Sequence, residues 1–194
     1  MKKVLIIALI AGLAVAWGIR FYFVNQNIDI PTVQVFRKGI EVPLEKDFFD
    51  SSDEDMNGYT VTVLDAELMP VEDFLQRYEA EDQTEILGNF TDYIYMVRVS
   101  VGNHNNPFID EKGVALQLFE LKGVDYILTL EDICYQASNP DMPGASFSLR
   151  QGTNMELLLP FNVMSSQTGI KHILNKPPKL QISAYPNQKL IELY

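Results

Sequence analysis

Apolar residues recur at every second position over three stretches of the chain, the spacing that places side chains on one face of a β-strand. Tyr93, Tyr95, Val97, Val99 and Val101 form the clearest series, followed by Met155, Leu157, Leu159, Phe161 and Val163. Tyr59, Val61 and Val63 alternate with Thr60 and Thr62. Weaker strand patterns cover Thr32–Arg37, Gly113–Leu121, Tyr126–Leu130, Lys179–Tyr185 and Leu190–Leu193. Turn-forming pairs punctuate them: Asn57-Gly58, Asn105-Asn106-Pro107, Lys122-Gly123, Pro143-Gly144 and Gln151-Gly152. One segment has a helical period instead, with Val71, Phe74, Leu75 and Tyr78 on one face and Pro70 at the first turn. Many short strands and one small helix predict a mainly β fold, an immunoglobulin-like β-sandwich with one short helix.

The N-terminus follows a different rule. Lys2-Lys3 precedes an uncharged run from Val4 to Ile19, and Arg20-Phe21-Tyr22-Phe23-Val24 closes it. Val4 to Val24 is long enough to cross the hydrocarbon core of a bilayer as a helix. Arg20 would snorkel outward, with Trp17 and Phe21 to Phe23 at the interface. The competing reading is a cleaved signal peptide ending at Ala14-Val15-Ala16, a small-x-small site. Aromatic bulk and a cation just after that site favour the anchor. Either way the lysines stay inside and the rest is exported. No cysteine follows the run to carry a lipid, and Leu190 to Tyr194 has neither a second span nor a sorting tail. The expected organisation is a signal anchor over residues 1–24, a linker over 25–31 and one extracellular domain over 32–194, single-pass with the N-terminus cytoplasmic.

Charge narrows the partners. Beyond Val24 there are 12 basic against 26 acidic side chains, a formal charge of −14. Such a surface repels nucleic acid and anionic lipid and attracts cations or basic partners. The single cysteine, Cys134, forbids an internal disulfide and any CxxC site. Within Ile133-Cys134-Tyr135 it reads as a small buried hydrophobe.

Gly58 to Ala66, Tyr93 to Asn103, and Gln151-Gly152 leading into Glu156-Leu157-Leu158-Leu159-Pro160-Phe161 together resemble the telokin-like, immunoglobulin-like extracellular domains of Gram-positive bacteria. With Trp17-Gly18-Ile19-Arg20 and Asp47-Phe48-Phe49, the chain is similar to an uncharacterised family, a domain of unknown function, of short membrane-anchored proteins. That resemblance implies a sandwich fold and a surface location, and no activity. The missing disulfide departs from antibody-type domains.

One run suggests ion chemistry. Asp53, Asp55, Asn57 and Gly58 match the front half of a Ca²⁺ loop, where alternate oxygens converge around a glycine turn. The twelfth position is Leu64 rather than a bidentate Glu, and a strand follows. A solvated acidic turn is therefore the competing and simpler reading, and Ca²⁺ is the one cofactor suggested. His104 and His172 lack metal-ligand companions at helical spacing, and His104 reads as part of an exposed loop. Ser146 and Ser148 lack the G-x-S-x-G elbow, and neither GxGxxG nor a P-loop occurs. Tyr93, Tyr95, Tyr126, Tyr135 and Tyr185 read as half-buried sheet residues with their hydroxyls at the rim, or as a contact surface. The expectation is a non-catalytic module that binds a protein or small ligand at the cell surface. The alternative is an accessory subunit of a membrane complex such as a transporter. An exported hydrolase is the weakest alternative.

Overall fold

The computed structural model describes residues 2–26, 30–50, 54–88, 91–107, 113–142, 144–164, 166 and 168–194. The chain divides into two units, Met1–Ile30 and Pro31–Tyr194. The first is the helix α1 (Lys2–Gln26), apolar on all sides, with Trp17 stacked on Phe21 at 5.4 Å between ring centroids. Its 24 residues from Lys3 to Gln26 are long and apolar enough to cross a membrane.

The second unit is mainly β. The strands in chain order are β1 (Thr32–Phe36), β2 (Val42–Pro43), β3 (Tyr59–Pro70), β4 (Tyr93–Asn103), β5 (Val114–Ala115) and β6 (Glu120–Lys122). They continue with β7 (Ile127–Thr129), β8 (Ser146–Phe147), β9 (Thr153–Val163), β10 (Lys179–Gln181) and β11 (Asn187–Glu192). One sheet has the order β1-β11-β10-β6-β7, and a second the order β2-β3-β4-β9. Strands β5 and β8 form a separate pair. All ladders are antiparallel except β1 with β11. A bridge between Leu130 and Phe161 ties the β7 end of the first sheet to β9 of the second.

Alternation builds the core that the two sheets share. Tyr59, Val61, Val63, Tyr95, Val97, Val99, Leu157, Leu159 and Phe161 meet Leu121, Leu128, Leu180 and Ile191 in one cluster. Leu64 interrupts the phase of β3. Val63 pairs with Val99 but Asp65 with Arg98, so one extra residue bulges. Beyond the bulge Ala66 and Leu68 face the core while Asp65 and Glu67 are exposed. A one-residue insertion exchanges the two faces of everything after it. Pro160 lies in β9, an edge strand, where a missing donor is tolerated.

The expectation of a single helix is corrected. Besides α2 (Val71–Arg77), which the period located, there are α3 (Thr84–Leu87), α4 (Asp132–Ser138) and α5 (Ile170–Asn175). Each is at most two turns long, so none displays a full apolar period. Helix α4 divides adjacent residues between two cores, Cys134 in a smaller cluster and Tyr135 in the main one. That smaller cluster unites Phe74, Leu75, Leu87 and Cys134 with Ile94 and Met96 on the outer face of β4. Helices thus cover a strand face that simple alternation assigns to solvent. Cys134 is fully buried, and burial pushes its thiol up to about 12.

Candidate binding site

Strand β11 carries a lysine where a core residue is expected. Lys189, Ile191 and Leu193 share the inward phase, and Lys189 is only 1% exposed. Its Nζ donates to Pro43 O at 2.7 Å and Glu45 Oε2 at 2.7 Å, and it lies 2.8 Å from Asp47 Oδ2. Asp47 is buried as well, and its Oδ1 accepts from Asn187 N and Nδ2 at 3.2 and 2.9 Å. A buried ammonium is tolerated only with partners of this kind. The Glu45 backbone sits at φ 57°, a left-handed position that side chains rarely adopt. The Glu45 side chain is 63% exposed, so the buried pair opens to water through this one carboxylate.

The neighbouring loops are held by asparagines. Buried Asn103 donates through Nδ2 to Asn106 O and Leu149 O, and accepts from Asn106 N through Oδ1. Asn106 Nδ2 then donates to Asp55 O at 3.0 Å and Asn57 O at 2.8 Å. Gly58 completes the turn at φ +93°. A Cβ there would lie 2.3 Å from Asn105 Oδ1 and 2.6 Å from Asn106 N, so only glycine fits. Tyr59 OH accepts from Leu149 N at 3.0 Å, and burial raises its pKa. Glu54 Oε2 accepts from the Phe49 and Asp50 amides.

On the surface of this scaffold, His104 Nε2 contacts Glu41 Oε1 at 2.6 Å, and Thr60 Oγ1 donates to the same oxygen at 2.7 Å. The His104 contact and then the Thr60 hydrogen bond hold the Glu41 carboxyl below its usual range. Three adjoining clefts result. One of about 220 Å³ lies between Glu41, His104 and Asn154. The next, about 230 Å³, lies between Glu45, Asn57 and His104, and the third, about 270 Å³, between Glu45, Asp47 and Asp55.

Of the residues that sequence assigns to a Ca²⁺ loop, Asp53 lies outside the described residues. Asp55 is half-buried and Asn57 exposed, and the turn that joins them is organised by Asn106. Tyr59 O, the following backbone oxygen of such a loop, accepts from Leu44 N at 2.9 Å. Among the described residues, no group of three or more His, Cys, Asp or Glu side chains converges on a metal position. His104 lies in an exposed loop, as read, and pairs with Glu41; His172 pairs with Asp125 at 2.7 Å. These partners are 63 and 47 residues distant, beyond the reach of local spacing rules. Tyr95 and Tyr126 extend their hydroxyls to Tyr194 OH and Lys176 O, whereas Tyr135 is on a helix. Sequence reasoning missed Lys189, Asp47, Glu45 and Glu41. Lys189 alone carried a signal, being in phase with Ile191.

The family described as Domain of unknown function (DUF5028) matches residues 33–189, from β1 to the buried lysine. The chain belongs to the DUF5028 family. Comparisons with curated proteins and with solved structures gave no match. The DUF5028 match takes in every residue of the cleft edge, while α1 lies outside it.

Proposed function

We propose that this DUF5028 protein is a membrane-tethered, extracellular binding module of immunoglobulin-like sandwich form, whose acidic cleft edge receives a basic protein partner. The observation that carries the reading is the rigid edge itself. Buried asparagines fix the loops, and above them Glu41, Glu45, Asp55 and His104 line contiguous clefts. Acidic side chains outnumber the one lysine of this lining, Lys46, and pre-organised polar loops with such an excess favour fast, specific association with an oppositely charged surface. The sandwich reading is supported by two sheets sharing a core of alternating residues, and the tether by the length and composition of α1. The accessory-subunit reading rests on α1 alone, because a span can hold a complex as readily as a bilayer.

Photo-crosslinkers placed at Asn57, at Asn105 and within α1 of the full-length protein separate these readings. The binding reading expects a protein adduct from Asn57 and Asn105 that weakens in Glu41→Lys and in high salt. Adducts from α1 positions only, unaffected by Glu41→Lys, would assign the protein to a membrane complex instead.

A further inference from the structure

The Lys189 cluster holds an amine nucleophile, a carboxyl electrophile and a second carboxylate in mutual contact, two of them shut away from water. Lys189 Nζ lies 2.8 Å from Asp47 Oδ2, and these side chains are 1% and 2% exposed. The carboxyl carbon is one bond beyond that oxygen, so amine and carboxyl are held side by side, the proximity that favours an intramolecular step. Asn187 fixes the carboxyl through Oδ1, so Oδ2 is the oxygen turned to the amine. Glu45 Oε2 stands 2.7 Å from the same nitrogen, brought there by a left-handed backbone. Strained conformations of that kind collect where geometry serves chemistry.

We infer that Lys189 and Asp47 condense into an intramolecular isopeptide bond, with Glu45 as proton carrier. Proton transfer across the 2.8 Å contact converts ammonium and carboxylate into a neutral amine and a neutral acid, the pair from which the reaction starts. The nitrogen lone pair attacks Asp47 Cγ and the Nζ–Cγ bond forms. Glu45 removes a proton from nitrogen and delivers it to the departing hydroxyl, acting as base and then acid. The Cγ–O bond breaks and one water leaves past Glu45 into the adjoining cleft, which Glu45 and Asp47 line. One ammonium and one carboxylate become one amide and one water, and Glu45 ends as it began. No oxidant, metal or co-substrate enters. Proximity alone supplies the large effective concentration such a step requires. The bond would close a ring from the segment after β2 to the last strand, embracing nearly the whole domain.

The inference does not depend on the proposed partner, and it is read by mass. Full-length protein, purified in detergent and then denatured, is expected to be one water lighter than its processed sequence. Proteolysis is expected to release a branched peptide joining the Asp47 and Lys189 segments. Glu45→Gln changes a largely exposed side chain, so the fold is retained by circular dichroism while the water returns and the peptides separate. Lys189→Met gives the unlinked reference on the same map. Separate, unmodified Asp47 and Lys189 peptides from the wild-type protein would overturn the bond. A linkage undiminished in Glu45→Gln would overturn the role given to Glu45.

Discussion

Asn106 makes two hydrogen bonds to the Asp55 and Asn57 carbonyls and so organises this turn with protein atoms. Asn106→Ala leaves these carbonyls without that donor, at a cost of about 1–3 kcal/mol, measurable by urea denaturation. Because the turn is organised from within, thermal melts in millimolar Ca²⁺ and in EDTA are expected to coincide. A Ca²⁺-dependent rise that disappears in Asp53→Ala plus Asp55→Ala would restore the ion. At this scale the sequence was partly legible. Asn57-Gly58 announced its turn because glycine is the one residue that fits at φ +93°. Asn103 and Asn106 read as ordinary loop residues, since nothing local distinguishes a buried amide that bonds carbonyls some 50 residues away.

Strand β4 illustrates what a period shows and what it hides. The odd-numbered residues Tyr95 to Val101 do face the main core, as alternation requires. Ile94 and Met96 occupy the opposite face and are buried too, because α2, α3 and α4 cover them. Leu159→Ala and Ile94→Ala are therefore both expected to destabilise by about 2–5 kcal/mol in chemical denaturation, although alternation alone assigns Ile94 to solvent. A shift under 0.5 kcal/mol at Ile94, the usual range for surface sites, would remove the helical cover. The helices escaped notice because a two-turn segment supplies too few positions to establish a period, and α4 serves two cores at once. The bulge at Leu64 disguised the second half of β3 by the same logic. An inserted residue moves Ala66 and Leu68 onto the core face that Val61 and Val63 held before it, although their even numbers match Thr60 and Thr62.

Over the molecule, charge is the property that composition read most directly and that pH tests most simply. Glu41, Asp65, Glu67 and Asp125 are each held below their ordinary values, by His104, Lys38, Arg77 and His172 respectively. A depressed carboxyl stabilises the fold above the unfolded-state value of about 4 and loses that contribution as pH falls through the folded value. Glu120 acts in the opposite sense, since burial raises it. With four groups against one, thermal stability is expected to hold from neutrality to about pH 5 and to fall steadily below pH 4. Raising the salt concentration is expected to shrink the effect, since all four pairs are exposed. A melting temperature that rose on acidification would assign the balance to Glu120.

The proposed topology, an acidic domain displayed outside the cell on a single span, is open to a direct labelling test. Cys134 is buried, with its thiol pushed up to about 12, so the native chain is expected to leave thiol reagents unreacted. An exposed position such as Val124 therefore becomes a clean topological reporter as Val124→Cys. A membrane-impermeant maleimide applied to intact cells is predicted to label Val124→Cys fully and the native chain not at all. Labelling that required permeabilised cells would place the domain inside and contradict the account.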